Sequence, residues 1–172
     1  MKRMGMIAAV AAMLAPAAAR ADDSGFHAGV GYTNYSVGDF EDIGALTLRL
    51  GYRANQYVGV EAEYSNGVID GDFGGLDADV EASGAFIVGY LPVGERIDVF
   101  ARAGYSAADL FATGSCGSGC TTTASTDEEG VSYGIGVVYQ LTDRFRVRGE
   151  YTRAEGDFRD TDAFGVSGAY QF

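Results

Sequence analysis

Residues 145–151 read Phe145-Arg146-Val147-Arg148-Gly149-Glu150-Tyr151. Apolar or small residues occupy one parity and charges the other, the period of two that an extended strand turns onto opposite faces. Such a segment has to divide an ionic environment from a greasy one. The question for the rest of the chain is whether its neighbours do the same.

They do. Working outward, the apolar parity continues as Tyr133, Ile135, Val137, Tyr139 before this segment and as Phe164, Val166, Gly168, Tyr170, Phe172 after it. Further upstream come Val99, Ala101, Ala103, Tyr105; Ala82, Gly84, Phe86, Val88, Tyr90; Val58, Val60, Ala62, Tyr64; Leu46, Leu48, Leu50, Tyr52; and Phe26, Ala28, Val30, Tyr32. No stretch shows the i, i+3, i+4, i+7 spacing of an amphipathic helix over three turns, so the chain is predicted all-β with eight strands. Short connections at 53–56, 92–96 and 141–144 alternate with long ones at 37–43, 65–79, 107–129 and 154–162. Consecutive turns of an antiparallel up-and-down barrel fall at alternate ends of the wall, which is how short and long loops separate.

Alternation does not say which parity faces out, and the rival is a secreted, water-soluble barrel of the lipocalin type with a greasy interior. The apolar sets carry no charge, and their aromatics gather near the strand ends, as rings at two membrane interfaces would. The opposite parity mixes glycine with Arg49, Glu61, Glu63, Glu81, Asp98, Arg102, Arg146, Arg148 and Glu150. Long arginines beside positions without side chains suit the narrow lumen of an eight-stranded barrel, where opposite charges must pair. On the outside of a soluble barrel the same glycines would weaken strands with no packing return. Lipocalin-type barrels normally add a helix after the barrel, and none is expected here, since the sequence stops on the aromatic end of strand eight. The expected fold is therefore an eight-stranded antiparallel transmembrane β-barrel with a polar plug of ion pairs. Six-residue aromatic spacings on strands tilted about 40° span only about 15 Å of a band of about 25 Å, so the strands should extend past their aromatics.

The first 21 residues read as a cleavable export signal: Lys2 and Arg3, an apolar stretch from Met6 to Ala19, and the small-residue site Ala19-Arg20-Ala21. The remaining 22–172 make one domain, with no Pro/Ser/Gln-rich linker to divide it. All 24 acidic residues lie there against nine arginines and no lysine, leaving about −15 on the side chains, which excludes nucleic acid as a natural partner.

The export signal, the alternating strands, the repeated pairs Gly31-Tyr32, Gly51-Tyr52, Gly89-Tyr90 and Gly104-Tyr105, and the terminal Tyr170-Gln171-Phe172 resemble the small outer-membrane β-barrels, the OmpA-like and OmpX-like family. That resemblance covers nearly all of 22–172. It implies a bacterial outer-membrane location with both termini periplasmic, a monomer in contact with outer-membrane lipid and lipopolysaccharide, and recognition of Tyr170 and Phe172 by the barrel-assembly machinery. In this chain Ser167 stands where the family's closing-strand pattern has glycine, and Gly165 where it has a polar residue.

Few residues invite chemistry. His27, the one histidine, falls on the inward parity at the start of strand one, far from the long loops, and reads as lumen filling rather than a general base. Cys116 and Cys120 flank Gly117-Ser118-Gly119 and are expected to form a disulfide in an oxidising compartment. The acids of the long loops, among them Asp39, Asp70, Asp72, Asp77, Asp79, Asp127, Glu128, Glu129, Glu155, Asp160 and Asp162, read as a solvated surface. Asp70-Gly71-Asp72 lacks the spacing of an EF-hand loop, so no metal and no cofactor is predicted. The expected role is non-enzymatic, in envelope structure or surface contact, with a narrow diffusion channel as the alternative and a soluble ligand-binding barrel as the second.

Overall fold

The computed structural model describes residues 24–36, 43–69, 71–72, 76–115, 121–156 and 160–172. Eight long strands, β1 (Gly25–Ser36), β2 (Ile43–Arg53), β3 (Val58–Ile69), β5 (Leu76–Pro92), β6 (Ile97–Ser115), β7 (Thr121–Gln140), β8 (Phe145–Gly156) and β9 (Asp160–Gln171), are joined by a two-residue β4 (Gly71–Asp72) that pairs with β5. Every pairing is antiparallel between neighbours, and two contacts close the ring: β1 with β9, and β3 with β5. The wall is an eight-stranded up-and-down barrel.

Its short turns are built by local chemistry. Asn55 Oδ1 accepts from the backbone N–H groups of Tyr57 (2.8 Å) and Val58 (3.0 Å), and Thr142 Oγ1 accepts from Phe145 N–H (3.0 Å). Asparagine and threonine side chains substitute for a missing backbone partner in this way, so the chain can reverse within a few residues. The ends of β1 and β9 share this rim, where Phe172 N–H donates to Phe26 O at 2.9 Å.

The two parities face opposite environments. Leu50 (66%), Ile135 (63%) and Phe164 (60%) are largely exposed on the outer wall, whereas Arg53 (1%), Glu61 (3%) and Arg102 (5%) are buried inside. Water would reverse that arrangement, because ions cost several kcal/mol to bury and greasy side chains gain from burial. A closed wall with an apolar exterior belongs in lipid, where every backbone polar group must be satisfied by a neighbouring strand. The soluble-barrel alternative is thereby overturned.

One strand faces the other way from the sequence reading. In β5, Phe86, Val88 and Tyr90 point into the lumen and are buried, while Ile87 (66%) and Leu91 (61%) face out. Residues 82–91 carry no charge and have apolar groups on both parities, so periodicity alone could not orient them. Glu81 goes with the outward parity and leaves the expected lumen network. Gly89 moves outward with it.

The expected long loops are also shorter. β6 and β7 run for 19 and 20 residues and stay paired from Ile97↔Tyr139 to Ser115↔Thr121, so most of 107–129 is strand. Likewise the described residues of 65–79 belong to the end of β3, to β4 and to the start of β5. At about 3.4 Å per residue and a tilt of about 40°, a 20-residue strand rises about 50 Å, twice the usual hydrocarbon band. The hairpin therefore projects far beyond the membrane, where polar strands need no alternation. The expectation that strands run past their aromatics is met.

Candidate functional site: the lumenal ion network

The period of two delivers one inward side chain every other residue, and closure brings opposite walls within reach of a long arginine. Arg49 on β2 is the hub. Its Nη2 binds Glu63 Oε2 on β3 (2.5 Å) and Glu150 Oε1 on β8, and its Nη1 donates to Ser167 Oγ on β9 at 3.1 Å. Arg102 on β6 reaches the same Glu63 at 2.6 Å and donates to Thr152 Oγ1 at 2.7 Å. Arg148 on β8 bridges Glu61 (2.8 Å) and Glu150 (2.6 Å). Three guanidiniums thus face three carboxylates, each shared, in the middle of the tube.

Toward the short-turn rim, Glu61 also accepts from Tyr90 Oη at 2.9 Å, and His27 Nε2 lies 3.4 Å from the same carboxylate. Below it Arg53 pairs with Asp98 at 2.8 Å and donates to the turn carbonyl of Gln56 at 2.6 Å. Arg146 is buried in this half of the lumen and lines a cavity of about 20 Å3 with His27, Arg49 and Arg148. That volume is room for about one water.

Aromatic faces fill the space between the ions. The guanidinium carbons of Arg53, Arg102 and Arg148 lie 4.2, 4.1 and 3.8 Å from the ring centroids of Tyr90, Phe86 and Phe100. Stacked guanidiniums retain attraction to a ring quadrupole after losing water, which offsets part of their burial cost. Close approach demands glycine in two places: a Cβ on Gly136 would stand 2.5 Å from the Phe100 ring, and one on Gly51 would run into the His27 imidazole.

The structure brings together Arg49, Glu61, Glu63, Arg102, Arg148 and Glu150, places Asp98 on a separate pair with Arg53, and excludes Glu81. Glu81 instead accepts on the outer wall from Tyr64 Oη at 3.1 Å. Arg53, Phe86, Tyr90 and Phe100 were missed. A signal existed for two of them, since Arg53 continues the parity of Arg49 and Gly51, and Phe100 sits between Asp98 and Arg102 on theirs.

The outer wall carries its own polar groups at the long-loop end. Tyr105, Tyr133 and Tyr151 donate to Glu129 (3.1 Å), Glu155 (3.1 Å) and Asp162 (2.6 Å) on the neighbouring strand, as Tyr64 does to Glu81. At the other rim Tyr170 packs on Phe145 and Phe172 (ring centroids 5.1 and 5.2 Å) and accepts from Arg144 at 3.0 Å. Amphipathic rings at two levels mark the two interfaces of a membrane. Cys116, Cys120, residues 1–21 and the acids of 37–42 lie outside the described residues.

A closed eight-stranded wall, greasy outside and carrying buried ion pairs within, defines a small transmembrane β-barrel. The chain matches the family described as outer membrane protein beta-barrel domain over residues 6–172, and it belongs to that family. Its place is the bacterial outer membrane. Among solved structures it is similar to Ail, the attachment invasion locus protein of Yersinia pestis, in complex with the heparin analogue sucrose octasulfate (TM-score 0.65, 15% identity, 88% of this chain and 100% of that one). Neisserial surface protein A (0.61, 13%, 90% and 100%) is similar too. So is the N-terminal barrel domain of Pseudomonas aeruginosa OprF (0.60, 12%, 87% and 100%). At these identities the likeness speaks for the fold alone. No curated protein sequence matches the chain.

Proposed function

We propose that this protein is a non-enzymatic, sealed outer-membrane barrel that works in envelope structure and surface contact through the acidic rim and hairpin at its long-loop end. The observation that carries this reading is the shared set of Arg49, Arg102 and Arg148 against Glu61, Glu63 and Glu150, which occupies the lumen where a channel would need water. Each ion there has lost its hydration and is held by its partners, so opening a path would mean breaking several buried pairs at once. His27 is packed beside Glu61 at the short-turn rim, away from the outer leaflet, which supports a filling role over a catalytic one.

The long-loop end is extracellular in this reading and both termini are periplasmic after removal of residues 1–21. Tyr170 and Phe172 serve as the closing signal for the barrel-assembly machinery, and Cys116 and Cys120 pin the hairpin tip as a disulfide. The protein works as a monomer, its wall against lipid and lipopolysaccharide. Ail was solved with a polyanion, but about −15 of side-chain charge on 22–172 disfavours a sulfated-glycan ligand here and favours a cationic surface partner.

Planar-bilayer recording of the purified barrel, together with protease treatment of intact cells, tests this reading. Electrical silence, a heat-modifiable gel band and cleavage confined to the long-loop end are expected. Steady conductance steps would establish the narrow-channel alternative instead.

A further inference from the structure

On the long-loop side of the ion network the lumen holds a cavity of about 90 Å3. Its floor is Phe86, Glu63, Arg102 and Glu150, and its lining as a whole draws on all eight wall strands. Two acids, Glu129 and Glu155, belong to the rim of the lining, but their carboxylates accept from Tyr105 and Tyr133 on the outer wall. The other described side chains that line the cavity above the floor are uncharged. Tyr35 and Thr33 bring hydroxyls to one part, tied together behind the wall: Tyr35 donates to Ser65 (2.9 Å), Ser65 meets Thr47 (2.8 Å), and Thr47 meets Thr33 (2.7 Å). Across the cavity Ser106 and Ser132 pair at 2.5 Å. Ile43 and Val80 form an aliphatic part, clustered over Ala45 with Tyr35 packed against them.

The floor ions are already engaged with one another. Arg102 directs Nη1 to Glu63 and Nη2 to Thr152, while Glu150 receives Arg49 and Arg148. A charged guest would have to give up water and then compete with these pairs for a counter-ion. An uncharged guest disturbs none of them, and hydroxyl walls offer it donors and acceptors. At about 10–15 Å3 per water-sized group, the space suits a molecule of about six to nine non-hydrogen atoms.

We infer that the long-loop half of the lumen is a dead-end binding cup for a small uncharged amphipathic molecule, one with a hydroxylic or amide edge and a short aliphatic edge. The hydroxyl chain from Tyr35 to Thr33 takes the polar edge, and Ile43 and Val80 take the aliphatic one.

The test uses the full barrel in lipid nanodiscs, with methyl and amide NMR shifts read at Ile43, Val80 and Thr33. Butane-1,2-diol is the probe, and butyrate and butylammonium are its charged counterparts of similar size. The diol should give saturable shifts at these three residues, with both ions at least about tenfold weaker. Thr33→Val should weaken the diol about two- to tenfold, the loss expected for one hydrogen bond. Ala163→Leu should fill the cup and abolish the shifts while the gel band stays heat-modifiable. Linear, non-saturating diol shifts, equal binding of either ion, or an Ala163→Leu barrel that responds like the parent would each overturn the inference. The ion comparison is made on the unaltered chain, so it stands even where a variant does not assemble.

Discussion

Arg102 lies over the face of Phe86, its guanidinium carbon 4.1 Å from the ring centroid, and the pair joins β6 to β5 inside the tube. This contact goes with the facing of the uncharged stretch 82–91 of β5, in which Phe86, Val88 and Tyr90 fill the lumen and Ile87 meets lipid. It also explains why a strand with no inward charge of its own belongs to an ion-filled barrel: it supplies the surfaces on which arginines rest.

The facing of β5 can be read by substitution at adjacent positions. Ile87→Arg puts a charge on the lipid face and should destabilise the barrel by about 2–4 kcal/mol near the midplane. Phe86→Ala should cost about 3–5 kcal/mol for a different reason, a cavity under Arg102. A cysteine at 87 should react with a membrane-soluble maleimide and one at 86 should not. Labelling of 86 in preference to 87 would refute the assignment. Urea unfolding into lipid vesicles measures the two losses.

Glu61 and Glu81 are both strand glutamates, yet their removal should differ sharply. Glu61→Gln removes one of the two carboxylates that hold buried Arg148, leaving three guanidiniums against two acids, and should cost about 3–5 kcal/mol. Glu81→Gln keeps an oxygen to accept from the exposed Tyr64 hydroxyl and removes only the charge, so it should fall within about 1 kcal/mol of the parent. Equal losses in the same unfolding assay would return Glu81 to the network.

The plug itself should be breakable. Bilayers containing the parent barrel should stay silent, whereas Arg49→Ala with Glu63→Ala removes a pair that spans β2 and β3 and should admit water and brief conductance steps. Silence in both would mean that Arg102, Arg148 and the stacked rings suffice to close the tube.

For Cys116 and Cys120, the expected disulfide closes so short a ring that it contributes about 2 kcal/mol at most to the unfolded-state term. Reduction should therefore speed proteolysis of the hairpin tip and leave the unfolding midpoint of the barrel nearly unchanged. Alkylation without reductant should modify neither thiol, and full modification under those conditions would remove the disulfide from the account.

Where charge fell in the middle of a strand, its facing was legible. Arg146, Arg148 and Glu150 cannot meet lipid, so Phe145, Val147 and Tyr151 must, and the same argument oriented β2, β3, β6 and β8. In β1, β7 and β9, where small residues oppose large apolar ones, the outer parity was also read correctly. It failed in β5 because Phe86 and Ile87 are both acceptable to lipid. It failed at Arg53 because a turn and a strand end look alike without the partner Asp98. The length of the β6–β7 hairpin was hidden for a related reason: beyond the membrane both faces meet water, and alternation fades although backbone pairing continues.

The amino-acid order by itself determined an alternating, glycine-rich, eight-strand chain whose ions had to be enclosed, since each strand feels lipid or lumen independently of the others. Which carboxylate meets which arginine, which way an uncharged strand turns, and the uncharged cup above the plug were decided only when the wall closed. Those depend on distances across the tube between residues such as Arg49 and Glu150, about a hundred positions apart, that no local pattern encodes.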